Sequence, residues 1–141
     1  MKIPVAAAFV VLLALAPNAK AQSDGSDGFR SPSGNIYCQA FKDDDGATLR
    51  CDLRRMSNRP AGRPKDCDLE WGDAFEVSDK AQRAERICHG YTVMDEKLPT
   101  LRYGASWQRH GFTCRSEQTG VECRNARGNG FMLSRARQQV F

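Results

Sequence analysis

Six cysteines form the clearest chemical pattern in this 141-residue chain. Cys38 and Cys51 are equidistant from a turn at residues 43–46, and Cys114 and Cys123 are equidistant from a turn at residues 117–120. Cys67 and Cys88 remain. Residues equidistant from a hairpin turn face each other across the strands, with Cβ atoms within disulfide reach. The spacing therefore predicts the first two disulfides, and elimination predicts Cys67–Cys88.

Other side chains capable of catalysis or metal binding form no recognised arrangement. Zinc bound by His89 or His110 would need thiolates, which oxidised cysteines do not supply. The chain has no G-x-S-x-G elbow and no H-E-x-x-H helix, and nothing selects two of its 17 carboxylates as a glycosidase pair. The segment 128–130 (Gly-Asn-Gly) could cradle an anion, but its place between two strands favours a hairpin turn. We therefore expect no catalytic residue, no metal and no cofactor.

Arginine is the residue type whose distribution suggests binding. Residues 22–96 contain 11 basic and 15 acidic side chains, whereas residues 97–141 contain 8 basic and 2 acidic ones. Arginine holds planar anions by two parallel hydrogen bonds. We predict an anion-binding cluster that consists of Arg102, Arg109, Arg115, Arg124 and Arg127. Arg135 and Arg137 extend it towards the C-terminus. The alternative is an ordinary solvated surface.

Four aromatic residues could stack on sugars: Trp71, Tyr91, Tyr103 and Trp107. In a domain with a small core such residues more often belong to the core or its rim.

The N-terminus has the pattern of an export signal. Lys2 precedes an apolar run at residues 3–16, and Ala19-Lys20-Ala21 matches a cleavage site. The run is shorter than the about 20 residues that span a bilayer. We predict a signal peptide at residues 1–21, a flexible lead-in at 22–28 and a single domain at 29–141, periplasmic or secreted. An even cysteine count in an exported chain is typical of a disulfide framework.

Alternating apolar residues indicate the strands that position these groups. Pairing residues whose numbers sum to 89 places three apolar pairs on one face of a first hairpin, the Cys38–Cys51 pair among them. Residues 112–116 and 121–125 form a second hairpin, with a further strand at 131–135. Residues 74–77 favour a strand, and residues 80–88 are compatible with a short helix or a strand. The expected fold class is mainly β: an antiparallel, disulfide-braced sandwich or partly open barrel with at most one short helix.

Three segments together resemble a family of small exported bacterial proteins of unknown function. The opening segment is Phe29-x-Ser31-Pro32-Ser33-Gly34-Asn35-Ile36-x-Cys38, and the later ones are Leu101-x-Tyr103-Gly104 and residues 120–135, from Gly120-Val121-x-Cys123 to Phe131-x-Leu133-Ser134-Arg135. The resemblance covers about residues 29–141. It implies export and six paired cysteines, and it brings no activity, cofactor or catalytic residue.

The functional hypothesis is an exported, non-catalytic binding module for an anionic partner. The anions available outside the cytoplasmic membrane are lipid head groups, acidic polysaccharide and acidic proteins, and nucleic acid is not expected there. The alternatives are a small secreted hydrolase and a periplasmic or secreted enzyme inhibitor. No later segment is long and apolar enough to span a membrane.

Overall fold

A computed structural model describes Met1, residues 25–58, Pro60 and residues 62–141. The predicted signal peptide, apart from Met1, and residues 22–24 of the predicted lead-in lie outside the described residues. Ten strands are formed: β1 (Gly28–Arg30), β2 (Ile36–Lys42), β3 (Ala47–Leu53), β4 (Glu70–Ser78), β5 (Glu85–His89), β6 (Ser106–Arg109), β7 (Phe112–Glu117), β8 (Gly120–Arg124), β9 (Gly130–Leu133) and β10 (Gln138–Val140).

The strands form two antiparallel five-stranded sheets, each following chain order. Sheet 1 has the order β1-β2-β3-β4-β5 and sheet 2 the order β6-β7-β8-β9-β10. The mainly-β fold class is confirmed. Residues 80–88, which were compatible with a helix or a strand, overlap β5, and the described residues contain no helix. Accordingly, no described segment is a helix able to cross a membrane.

One row of inward side chains in each sheet shows how the sheets pack. Each row reads aromatic, cysteine, cysteine, aromatic: Phe29, Cys38, Cys51 and Phe75 in sheet 1, and Trp107, Cys114, Cys123 and Phe131 in sheet 2. The rows lie against each other, with ring centroids 5.2 Å apart for Phe29 and Trp107 and 6.3 Å apart for Phe75 and Phe131. The fold is thus a sandwich with two disulfides at its centre.

All six cysteines are paired as predicted, two disulfides from the spacing and Cys67–Cys88 by elimination. Cys38–Cys51 and Cys114–Cys123 join directly opposed residues, each with Cα atoms 4.1 Å apart, while Cys67–Cys88 ties the loop before β4 to β5. The Sγ atoms of Cys38, Cys51 and Cys123 lie within 4.8 Å of one another, but all are disulfide sulfurs and none is a thiolate able to bind a metal.

The outer faces of the two sheets have different surroundings. Residues 90–98, here called the strap, cross the outer face of sheet 1 and bury Tyr37, Arg50 and Asp52. The outer face of sheet 2 carries two ion pairs whose side chains remain between 43% and 59% exposed.

Candidate functional site

A cleft of about 440 Å³ opens at one end of the sandwich, where loops from both sheets meet. One wall consists of the β1–β2 turn and the two arginines that follow β3, Arg54 and Arg55. The opposite wall consists of the β7–β8 turn and the pair Ser134-Arg135 after β9. Ile36 and Val121 line the cleft and are 4% and 1% exposed, so they form its floor. We call this site the end cleft.

The turns that form the walls have defined local causes. Gly34 donates its N–H to Ser31 O at 2.9 Å and has φ of +67°, a conformation that favours glycine. Gly120 has φ of +136°, and a Cβ there would lie 2.2 Å from Leu133 O on β9. Any other residue at position 120 would push the β7–β8 turn away from its neighbouring strand.

Hydrogen bonds from the loop after β3 hold the two walls together. The Asn35 side chain accepts from Arg55 N at 2.8 Å and donates to Arg55 O at 3.1 Å. Two residues further on, Ser57 N donates to Arg135 O at 2.8 Å. The end cleft is therefore preformed, because the backbones on both sides are bonded to one segment.

Two of the three cleft arginines have no compensating carboxylate. Arg54 forms an ion pair with Glu96 and lies over the Tyr37 ring at 5.0 Å. The hydrogen bond to Glu96 raises the pKa of Arg54, and the same contact lowers the pKa of Glu96. Arg55 and Arg135 are exposed, and neither forms an ion pair within the described part of the chain.

The only carboxylate that lines the end cleft, among the described residues, is Glu117. Its charge is already balanced by Arg115, whose Nε donates to Glu117 Oε1. The end cleft therefore carries uncompensated positive charge.

Three further side chains at the end cleft have unused binding capacity. Tyr103 is 47% exposed. Gln118 and Thr119 are exposed at the tip of the β7–β8 turn. None of the three makes a side-chain hydrogen bond to any other residue that the structure describes.

The five predicted arginines do not converge on one site, and none lines the end cleft. Arg109 donates to Asp27 at 2.6 Å, and Arg124 donates to Glu122 at 2.6 Å. Arg115 is paired with Glu117, so three of the five are compensated. Arg102 and Arg127 are exposed, without an ion-pair partner in the described ranges. Of the two arginines that extend the predicted cluster, Arg135 lines the end cleft.

Arg54 and Arg55 were not predicted as binding residues, because the predicted cluster contains only arginines that lie close together along the chain. These two lie about 80 residues before Arg135 in the printed sequence. The nearest sequence signal was the pair of turn motifs at residues 31–34 and 117–120, which mark the two hairpin ends that form the walls.

The two histidines lie in different surroundings, and His89 is buried with both ring nitrogens in contact with oxygen atoms. His89 is 8% exposed, with Nδ1 at 2.8 Å from Tyr91 O and Nε2 at 2.7 Å from Asp73 Oδ1. Because both ring nitrogens are engaged, neither is available to activate a nucleophile. His110 lies elsewhere, with Nε2 at 3.4 Å from Asp27 Oδ1.

The segment 128–130 belongs to a turn rather than an open anion cradle. Asn125 Oδ1 accepts from Arg127 N and Asn129 N at 3.0 Å each, so these backbone donors are occupied. The Asn125 amide also donates to Ser78 O and Ala81 O, which links the β8–β9 turn to the β4–β5 turn.

These features define a disulfide-braced β-sandwich domain of two meander sheets with a basic, polar cleft at one end. The chain belongs to the family of unknown function DUF6636, whose family model matches residues 7–141. No curated protein and no solved structure matches the chain.

Proposed function

We propose that this protein is an exported, non-catalytic binding module and that its end cleft binds an anionic ligand. The observation that carries the proposal is the placement of two uncompensated guanidinium groups, Arg55 and Arg135, on opposite walls of a preformed cleft. Guanidinium groups bind carboxylate and phosphate in bidentate geometry. Export is supported by three disulfides, which form and persist in oxidising compartments.

The end cleft is a better candidate than the broad arginine surface expected from the sequence. On the outer face of sheet 2, Arg115 and Arg124 each contact a carboxylate two residues away in the same strand. A ligand would have to displace these carboxylates. At the end cleft, Arg55 and Arg135 need no such displacement.

Amide NMR titration with citrate, oligoglutamate and oligogalacturonate tests the proposal. We expect shifts at the walls of the end cleft. The double variant Arg55→Gln/Arg135→Gln should weaken binding about a hundredfold or more, since hydrogen bonds to charged groups contribute about 1.5–3 kcal/mol each. The matched control is Arg109→Gln/Arg124→Gln, which removes the same charge from sheet 2 at two residues whose carboxylate partners lie outside the end cleft, and it should bind like the unmodified protein.

Salt provides a second measurement, because exposed charges are screened beyond a Debye length of about 8 Å at physiological ionic strength. Binding should therefore weaken as salt is raised. Equal losses in the two double variants, or no binding of any of these anions, would overturn the proposal.

A further inference from the structure

We infer that the ligand of the end cleft is a carboxylated saccharide, with its ring on Tyr103 and its carboxylate on Arg55 and Arg135. This inference rests on the proposed function and specifies the chemical class of the ligand. It comes from the combination of an exposed aromatic ring, neutral amide and hydroxyl groups, and free guanidinium groups in one cleft.

Tyr103 is the aromatic residue that the structure places at the end cleft. Of the other aromatics considered for sugar stacking, Trp107 is 1% exposed and packs on Phe29. Tyr91 is exposed but lies outside the end cleft, with its ring against the Arg50 guanidinium at 4.8 Å. The Tyr103 ring is 47% exposed and contacts no other aromatic ring or guanidinium among the described residues.

The backbone on either side of Tyr103 is fixed. Gly104 N donates to Ser116 O at 2.7 Å, and Ala105 N donates to Arg102 O at 3.0 Å. With the backbone held, only the two side-chain torsions of Tyr103 become ordered on binding, and the electron-rich face of the ring attracts the weakly positive C–H groups of a sugar ring.

The neutral polar groups match the hydroxyl groups of a sugar. The Gln118 amide supplies both donors and an acceptor, and the Thr119 hydroxyl can donate or accept. A sugar hydroxyl also donates and accepts, so each such contact can be satisfied in either direction. The two guanidinium groups then account for a carboxylate on the same molecule.

The shape of the end cleft disfavours an acidic peptide, the main competing ligand. Extended peptides gain most of their affinity by adding a strand to an open sheet edge. The walls here are turns and loop segments, at 31–35 and 117–120 among others, rather than the side of an edge strand. The volume of about 440 Å³ lies within the about 300–1,000 Å³ range of small-ligand sites.

Calorimetric titration of the full mature protein tests the ligand class. The probes are oligogalacturonate, hyaluronan oligosaccharide and sialyllactose, compared with oligoglutamate and with a neutral maltooligosaccharide. Tyr103→Ala should weaken binding of the carboxylated saccharides about tenfold, which corresponds to an aromatic contact of about 1.5 kcal/mol. Tyr103→Phe should bind normally.

The matched control is Phe41→Ala, because Phe41 is also 47% exposed and lies near the β2–β3 turn, outside the end cleft. Tight binding of at least one carboxylated saccharide, lost in Tyr103→Ala and kept in Phe41→Ala, supports the inference. If oligoglutamate binds as tightly as every saccharide and Tyr103→Ala has no effect, the inference is overturned and only the anion-binding cleft remains. Failure of all acidic probes overturns both the inference and the proposed function.

Discussion

The outer faces of the two sheets carry the same kind of ion pair in different surroundings. In each, an arginine pairs with a carboxylate two residues away in the same strand: Arg50 with Asp52 in β3, and Arg124 with Glu122 in β8. The side chains of the first pair are 4% and 1% exposed, and those of the second are 47% and 44% exposed. Burial beneath the strap, rather than the pairing itself, therefore determines how much such an ion pair contributes to the free energy of unfolding.

The strap supplies the partners that make burial of the first pair tolerable. Arg50 donates to both Asp52 oxygens, at 2.9 and 3.0 Å, and to Tyr91 O at 2.6 Å. Asp52 also accepts from Thr92 Oγ1 at 2.8 Å and from Val93 N at 3.0 Å. A buried ion pair with satisfied hydrogen bonds is costly to break, because one removed partner leaves an uncompensated charge in the interior.

The largest effect expected from this comparison follows Asp52→Asn. The substitution removes the hydrogen-bonded counter-charge of the buried Arg50 guanidinium, so the free energy of unfolding should fall by about 3–5 kcal/mol. Denaturant unfolding measures the change. Glu122→Gln is the matched control in sheet 2, where the exposed pair contributes only about 0–1 kcal/mol. Similar losses in the two variants would show that the strap does not isolate the Arg50–Asp52 pair from solvent.

An intermediate effect concerns pH and the anchor of the strap. Glu96 accepts from Tyr37 Oη at 2.9 Å and pairs with Arg54 and Arg30, and these contacts lower its pKa in the folded protein, the contact with Arg54 being the largest cause. A carboxyl group whose folded pKa is depressed stabilises the fold above its unfolded pKa, near 4.5, and that contribution is lost as pH falls through the folded value.

Glu96→Gln should therefore remove part of the acid-induced loss of stability, and thermal unfolding followed from neutral to acidic pH measures it. Glu117→Gln serves as the comparison on sheet 2, because Glu117 contacts a single arginine. If Glu96→Gln loses as much stability at acidic pH as the unmodified protein, Glu96 does not anchor the strap.

The smallest effect is expected on sheet 2. Replacing Arg115 and Arg124 together by Glu reverses two exposed charges whose partners are also exposed. Exposed pairs contribute about 0–1 kcal/mol each, so the melting temperature should change by only a few degrees. Differential scanning calorimetry measures it. A loss as large as that of Asp52→Asn would contradict the picture of sheet 2 as an open face.

The hairpins and their disulfides were predictable because their geometry is local. The register that pairs Cys38 with Cys51 is set by a four-residue turn and by alternation, and the structure pairs Ile36 with Leu53 and Ala40 with Leu49 as expected. The short strands β1, β6 and β10 were not predicted, because three or four residues are too few to show alternation.

Alternation along β2 and β3 also places Tyr37, Arg50 and Asp52 on the face opposite the cysteines, as the observed register has them. It did not show that this face is covered. Asp52 is 0% exposed because Thr92 and Val93, 40 and 41 residues later, donate to it. A contact over that separation depends on where β4, β5 and the Cys67–Cys88 disulfide direct the chain, and no local pattern encodes it.

Local sequence patterns are enough to predict Cys38–Cys51, Cys114–Cys123, the hairpin registers and the mainly-β class, and Cys67–Cys88 then follows by elimination. Which charges are free depends on contacts between segments that are distant along the chain. Arg109, Arg115 and Arg124 are compensated by carboxylates, whereas Arg55 and Arg135 line the end cleft without an ion-pair partner among the described residues. Charge compensation acts over a few ångströms in space, whereas the sequence shows only position along the chain.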